Sequence, residues 1–266
     1  KFYITDYVLS CSLWLLSVIF IIAIIIIGRW KGLRSLISLA LTFFIIIKFI
    51  IPQIFTGSNP LMITLIGSFF ILLIIIYITE GLNRRAHLSA TSIFISLILT
   101  VGLSYLFVTL SRLTGAASED VLFLFNIEGA TINLAGLLLA GIIIGTLGVL
   151  DDVVIAQVST VEQIYDSNPS LGVKELFKKS YDVGVSHIAS MTNTLFLAYA
   201  GVSLPLLILF ATGQSAVANW QQAINTELIA TEIVRTLSGS IGLILAVPIS
   251  TWLASWWVKR RVTRNS

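Results

Sequence analysis

Charged side chains are scarce in this sequence: Asp, Glu, Lys and Arg make up 11% of its 266 residues, whereas hydrophobic residues make up 57%. A water-soluble domain with that balance would expose a large apolar surface to water. The single cysteine, Cys11, excludes an intrachain disulfide and a metal site built from several thiolates. No basic patch is interleaved with aromatic residues, as a nucleic-acid site would require. Spacings typical of a metal centre, a nucleophile elbow or a phosphate loop are missing too, so we expect no enzyme and no cofactor.

In place of charge, the sequence has a series of isoleucine-rich runs, each near or above the roughly 18 residues that a helix needs to cross a bilayer. No alternation of apolar and polar residues indicates barrel strands. We therefore predict an all-α fold, a polytopic membrane helix bundle that forms a single transmembrane domain over residues 1–266. The seven predicted transmembrane helices are 7–27, 33–51, 60–79, 88–110, 132–158, 188–211 and 236–257.

The charge of the linkers predicts the orientation of these spans. Basic residues are concentrated in the first, third and fifth linkers and in the C-terminal tail, while the alternate linkers contain only Arg112. By the positive-inside rule, the N-terminus lies outside the cell and the C-terminus in the cytoplasm. The basic residues that carry this assignment are Arg29, Lys31, Arg34, Arg84, Arg85, Lys174, Lys178, Lys179, Lys259, Arg260, Arg261 and Arg264.

The outer linkers and the start of the chain allow further predictions. Residues 121–125, VLFLF, and the uncharged segment 214–225 around Trp220 are typical of interfacial or re-entrant packing. An outward N-terminus normally needs an upstream signal or span, and the first residue is Lys1 rather than methionine. We therefore expect a segment before Lys1.

Two adjacent acids, Asp151 and Asp152, lie inside the fifth predicted span, in GIIIGTLGVLDDVVIAQVSTVEQ. An ionised carboxylate in hydrocarbon is costly, so an acid there is normally paired, protonated or exposed to a wet cavity. We interpret the pair as proton-coupling residues. Alternatively, the pair ends the span at the cytoplasmic surface and 153–165 lies flat as an amphipathic helix. The apolar VVIAQV that follows, with no basic residue before Lys174, favours a helix that continues through the bilayer.

Helical geometry assigns the two aspartates to different faces. At 3.6 residues per turn, Asp152 shares its face with small residues, whereas Asp151, about 100° further round, shares its side with isoleucine and leucine. Small residues are typical of close helix packing, so we expect Asp152 to lie on a packing seam and to matter more. The two predicted seams consist of Gly141, Gly145 and Gly148 beside Asp152, and of Gly239 and Gly242 in the last span.

Polar residues in the last two spans are further candidates. His187 can relay protons as histidines do, although a histidine near a span end is more often a cap or a headgroup contact. Glu232 and Arg235 are three residues apart and can pair; such a pair near the outer end is usually structural. The candidate polar path consists of His187, Ser190, Asn193, Glu232 and Arg235.

The stretch from Leu139 to Leu209 resembles one half of a resistance-nodulation-division permease or of the related Sec accessory membrane proteins. The resemblance lies in a glycine-rich span with an Asp-Asp pair, a helix that continues to Glu162, a turn SNPSLG, and KELFKKS opening a returning span. More closely, GTLGVLDDVVIAQ, HIASMTNTLFLAYAGVSLPLL and ELIATEIVRTLSGSIGLILAVP resemble the YibE/F-like family of bacterial multi-pass membrane proteins. This second resemblance covers the second half of the chain by motif and the first half by architecture.

These resemblances imply a location in the bacterial cytoplasmic membrane and, by analogy with the permeases, a proton current through Asp151 and Asp152. The permeases have two such halves and a lysine that faces the acids, whereas this chain has one half and no evident equivalent lysine. The resemblance thus implies a homodimer, or a heterodimer with a related subunit.

Three classes of function follow from these expectations. The leading one is a transport protein or transport subunit, of unknown substrate, in which protonation of Asp152 shifts the helix seams between two packings. A non-transporting assembly subunit is the alternative, with the acids paired to a partner's basic residue. An intramembrane aspartyl enzyme fits less well, because adjacent carboxylates on one helix diverge by about 100° and cannot converge on one water.

The predicted orientation can be tested with single cysteines in a Cys11-free background. Cysteines at Ser58 and Ser215 should react with an impermeant thiol reagent added outside intact cells, and cysteines at Ser35 and Ser170 only after permeabilisation. Labelling of Ser170→Cys in intact cells would reverse the orientation.

Overall fold

The structure is a computed structural model that describes residues 10–117, 121, 123–124, 132–212 and 220–262. No β-strand occurs in those residues, which confirms the predicted all-α class. The helices in chain order are α1 (Ser10–Ile45), a π-helical turn (Ile46–Ile50), α2 (Ile51–Phe55), α3 (Pro60–Thr79), α4 (Arg84–Leu110), α5 (Leu134–Ser167), α6 (Val173–Val202), α7 (Leu204–Ala211), α8 (Trp220–Ile224) and α9 (Glu227–Val262).

Asparagine side chains start three of the long helices. Asn59 accepts hydrogen bonds from the backbone N–H groups of the first turn of α3, Asn83 does so for α4, and Asn133 for α5. In α3 the cap is followed by Pro60, whose missing N–H costs nothing at the first helical position. These caps satisfy backbone donors that would otherwise be unpaired where each helix begins.

Five helical stretches of the described chain are long and apolar enough to cross a membrane, which is the architecture of a multi-pass membrane protein. The predicted number of seven spans is not confirmed. The predicted span 33–51 and, from Cys11 onward, the predicted span 7–27 fall within one stretch. The predicted span 188–211 is not among the five because the first half of α6 is polar. The five stretches are Cys11–Phe55, Pro60–Thr79, Arg84–Leu110, Leu134–Ser167 and Glu227–Arg260.

The first of these stretches is broken by a sharp bend at Arg29, whose φ of 47° and ψ of −128° are not helical. A Cβ on Gly32 would overlap the backbone carbonyl of Ile24. In an unbroken helix, residues eight positions apart are separated by about 12 Å along the axis, so the chain must turn back at Arg29. We call residues 10–28 the first arm and residues 30–45 the second arm of α1.

Helix α5 forms the centre of the bundle and contacts α3, α4, α6 and α9. Beside it, α4 carries a buried row of small hydroxyl residues, Ser89, Ser92, Ser96, Thr100 and Ser104. The hydroxyls of the last three donate to the carbonyl four residues earlier, so their polar atoms are satisfied within α4. Small side chains on α4 therefore allow its neighbours to approach closely.

At the opposite end of α4 from Arg85, a carboxylate joins two segments that are distant in sequence. Glu227, at the start of α9, accepts hydrogen bonds from the backbone N–H groups of Thr114 and Gly115 and from the Thr114 hydroxyl. The segments expected to pack at the interface, 121–125 and 214–225, lie largely outside the described residues, as do residues 7–9 and Arg264. The expectations for them stay predictions.

Candidate functional site

The acidic pair lies in the middle of a continuous helix. Helix α5 runs unbroken through Asp151 and Asp152 and ends only at Ser167. The prediction that the helix continues beyond the pair is confirmed. Fifteen further residues of helix, from Asp152 to Ser167, correspond to a rise of about 22 Å.

The two carboxylates have different surroundings. Asp151 is buried, with 9% of its surface exposed, whereas Asp152 is exposed. Asp151 Oδ1 accepts a hydrogen bond from the backbone N–H of Asp152 at 2.9 Å. Asp151, the acid that shares its side with isoleucine and leucine, is therefore the one enclosed by protein.

Asp151 is buried because of the side of α5 that packs against the other helices. Large side chains of α5, among them Leu147, Leu150 and Val154, are buried in one cluster with Ile93 and Leu97 of α4. The large side chains of α5, and not its glycines, thus make the contact with α4. The glycine face of α5 consequently points away from this contact.

The five predicted seam glycines divide between two environments. Gly141 and Gly148 have no atom within 4 Å of the position that a Cβ would take, and Gly145 has only the Tyr199 hydroxyl. The α5 seam is therefore not packed within one chain. The α9 glycines are packed: a Cβ on Gly239 would touch Thr146 and Leu195, and one on Gly242 would overlap the Thr100 side chain.

Both aspartates line a groove between α5 and the two arms of α1. Its volume is about 1020 Å³, and most of its lining is apolar. Because α1 packs on α3 and the π-helical turn, the space between α1 and α5 stays open. Representative lining residues are Phe20 and Ile24 of the first arm, Leu39 and Thr42 of the second arm, and Gly148, Ile155 and Ser159 of α5.

One end of the groove is charged. Lys31, Glu80 and Arg85 line it there, and Arg85 Nε lies 2.6 Å from Glu162 Oε2 of α5. The ion pair fastens the beginning of α4 to the last turns of α5. From Ser159 near this end to Gly148, the groove follows eleven residues of α5, or about 16 Å of helix. Asp152 lies between these two points.

The other predicted polar residues do not join the groove. His187, Ser190 and Asn193 are exposed on α6 and are not among the lining residues, so the structure does not bring them to the aspartates. Glu232 and Arg235 do pair as their spacing predicted, with Arg235 Nη1 at 2.9 Å from Glu232 Oε1.

Some residues at the site were not singled out from the sequence. Lys31 and Arg85 were considered only as topology signals, and Glu80 was not considered at all. Arg85 and Glu162 are 77 positions apart, so no local spacing could have joined them. Glu80 and the two basic residues could still have been noticed in the sequence, because charged residues are rare in this chain.

Gln157 was also missed. Its side chain is fully buried on α5, and its amide Nε2 donates to the Ser180 carbonyl of α6 and to the Thr251 hydroxyl of α9. A Cβ on Gly184 would lie 2.9 Å from Gln157 Oε1, so a glycine is needed there. This side chain joins three helices one turn beyond Asp152 and Asp151.

Within the described part of the chain, no three His, Cys, Asp or Glu side chains are grouped as a metal ion would require. The charged groups that line the groove are the two aspartates along its apolar wall and Lys31, Glu80 and Arg85 at one end.

Long apolar helices around a charged groove define this chain as a multi-pass membrane protein. It belongs to the YibE/F-like family, whose model, described as YibE/F-like protein, matches residues 16–260. The match extends the resemblance seen in the second half of the sequence to nearly the whole chain. No curated protein and no solved structure matched, and the similarity to resistance-nodulation-division permeases is not shown.

The two kinds of glycine environment lead to a stability prediction. Gly242→Ala should lower the free energy of unfolding by about 1–3 kcal/mol, because the new methyl group meets Thr100 in a closed helix contact. The matched change Gly148→Ala should be neutral or stabilise by up to about 1 kcal/mol, because the space is open and alanine is the better helix former. Thermal unfolding in detergent compares the two; equal midpoints would contradict the packing described for α9.

Proposed function

We propose that this protein is a proton-coupled transport protein of the bacterial cytoplasmic membrane, or the membrane subunit of a transport machine. The observation that carries the proposal is the placement of Asp151 and Asp152 on one groove with Lys31 and Arg85. Acids kept within a membrane helix are costly and are found where protons or ions pass. Its substrate is not specified by this arrangement.

Orientation forms part of the same proposal. The charged end of the groove carries Lys31 and Arg85, both from linkers assigned to the cytoplasm by the positive-inside rule. The groove then opens toward the cytoplasm, and Gly148 marks its deep end. The bend at Arg29 supports two crossings by the arms of α1, and α6 with α7 supplies the remaining crossing of a seven-span topology.

The mechanism follows from the surroundings of Asp152. When protonated, its side chain is neutral and compatible with the apolar wall formed by Ile24 and Ile155. When ionised, it requires water or a cation, which only an open groove supplies. Proton uptake therefore favours a narrow groove, with α1 close to α5, and proton release favours a wide one. The different solvation of the two forms is the source of the coupling free energy.

Asp151 has a secondary role in this proposal. Its carboxylate is buried and holds the backbone N–H of Asp152, so it contacts the groove less freely than its neighbour. The two carboxylates lie in different environments and do not face each other, which supports proton exchange over an aspartyl enzyme in which two carboxylates share one water.

A second subunit is also part of the proposal, as a copy of this chain or a related protein. The most apolar window of Cys11–Phe55 has no buried residue, and large side chains such as Trp14 are exposed along the first arm. That surface is available to lipid or to another chain. A non-transporting assembly role remains the alternative, and the next experiment separates it from transport.

Proton flux into liposomes tests the proposed function. The full chain is reconstituted with an internal pH dye, and Asp152→Asn should lower the flux by roughly 100-fold, the lower range of what a proton-transfer group contributes. Asp151→Asn should have a smaller effect, because Asp152 is the carboxylate exposed to the groove.

The control is Asp166→Asn, the same change at an exposed position near the end of α5, which should leave the flux unchanged. Wild-type liposomes without flux, or full flux in both Asp151→Asn and Asp152→Asn, would contradict a proton-coupling role and favour the assembly subunit. The melting temperature of each variant shows whether a loss of flux is a loss of folding.

A further inference from the structure

The groove between α5 and the arms of α1 has the size and the walls of a site for a small organic molecule. Its volume is about 1020 Å³, and pockets that hold drug-sized ligands measure roughly 300–1,000 Å³. Phe20 and Ile24 of the first arm, Leu39 of the second arm and Ile155 of α5 give the groove apolar walls. Such walls favour a ligand with an apolar body.

The deep part of the groove contains two carboxylates without a countercharge. In the described part of the chain, no basic side chain forms an ion pair with Asp151 or Asp152. Asp151 lines the groove with 9% of its surface exposed, its Oδ1 accepts the backbone N–H of Asp152, and its Oδ2 accepts no hydrogen bond from another described helix. A carboxylate in such an apolar site requires a positively charged partner, water or a proton.

The charged end of the groove does not supply that partner. Lys31, Glu80 and Arg85 line this end, and Arg85 is already bound to Glu162. Two basic and two acidic side chains thus balance each other there. Together with the two aspartates, these are the charged groups that face the groove from the described helices and turns around it. The aspartates therefore give the groove its net charge, which attracts a cation and repels an anion.

A hydroxyl group on the wall opposite α5 also lacks a partner. Thr42 Oγ1 of the second arm is buried and has no hydrogen-bond partner in the described part of the chain. Two other hydroxyl residues that line the groove, Ser38 and Thr79, donate instead to carbonyls of their own helices. Thr42 is thus left to bond with a polar group inside the groove.

The lining selects an organic cation over an inorganic one. A hard cation such as Ca²⁺ takes about six to eight oxygen ligands at short distance. One turn from Asp152 on α5, the groove is lined by Gly148, Ile155 and Ala156, whose side chains contain no oxygen. An organic cation needs only one charged contact, and its carbon atoms are stabilised by burial against the apolar walls.

We propose that the groove binds an apolar organic cation, such as an amphiphilic amine, with its positive nitrogen at Asp152 and its carbon body between Ile155 and the arms of α1. The inference rests on the proposed function and adds the chemical class of the substrate. One carboxylate neutralises one positive charge, so the cation replaces the proton on Asp152. The O–H bond breaks and the proton leaves to water. Transport is then an exchange of one organic cation for one proton.

Two ions of the same shape and opposite charge test this class of ligand, tetraphenylphosphonium and tetraphenylborate. Displaceable binding of each radiolabelled ion is measured on the purified full chain in nanodiscs, and binding to empty nanodiscs is subtracted. The wild-type chain should bind the cation at least about tenfold more tightly than the anion, because the groove carries negative charge. Asp152→Asn should weaken cation binding by about tenfold or more, because the countercharge is lost.

The matched control is Asp166→Asn, the same change at an exposed position near the end of α5, which should bind both ions as the wild-type chain does. Binding of tetraphenylborate should be kept in Asp152→Asn, which shows that the groove is intact. The ion preference of the wild-type chain decides the question even where the variant fails to fold.

The opposite results overturn the inference. Equal affinities for the two ions in the wild-type chain assign the groove to lipid chains irrespective of charge, and no displaceable binding of either ion excludes a site. Unchanged cation affinity in Asp152→Asn excludes Asp152 as the countercharge. Binding does not require flux, so the two proposals can fail separately. If proton flux depends on Asp152 but the cation is not bound, the proposed function stands and the substrate class fails. If the cation is bound through Asp152 in a chain without proton flux, the site stands and transport fails.

Discussion

The rotational position of α5 determines where Asp151 and Asp152 lie. Helix α5 contacts α3, α4, α6 and α9, and its large apolar side chains are buried in one cluster with Ile93 and Leu97 of α4. Because this side of α5 faces α4, the opposite side points away from α4, and it carries Gly145, Gly148 and Asp152. A rotation of α5 by one residue would move Asp152 into the bundle and close the groove. The fully buried Gln157, bonded to α6 and α9, resists such a rotation.

The groove depends equally on the bend at Arg29. Because the chain turns back there, two arms stand beside α5 and form the second wall of the groove. The turn requires close contact between Ile24 and Gly32, which a larger residue at position 32 would prevent. It also places Lys31 at the charged end, opposite the Arg85 and Glu162 ion pair. Backbone geometry thus brings a basic residue of α1 to the same groove as the aspartates.

Length, hydropathy and helical periodicity were enough to predict the fold class, the continuation of α5 beyond the aspartates, and the pairing of Glu232 with Arg235. These are local properties of one segment. The buried position of Asp151 was not predictable in this way, because it depends on which side of α5 the other helices pack against, and only the tertiary fold decides that. The groove was not predictable either, since Lys31, Arg85 and Glu162 come from segments that only the tertiary fold brings together. The number of membrane crossings was predictable only in part. The bend at Arg29 is a tertiary feature, whereas the polar first half of α6 was visible in the sequence.

The proposed function requires that Asp152 lies in a water-filled groove that opens to the cytoplasm. Its most direct test is cysteine accessibility along α5 in inside-out vesicles of a Cys11-free protein, with a membrane-impermeant thiol reagent. Ala156→Cys lines the groove one turn from Asp152, whereas Val154→Cys is fully buried against the bundle and serves as the control. The account predicts rapid labelling at position 156 and none at position 154. If a cysteine at position 156 is as unreactive as one at position 154, the groove is closed to water and the aspartates have no aqueous path to the cytoplasm.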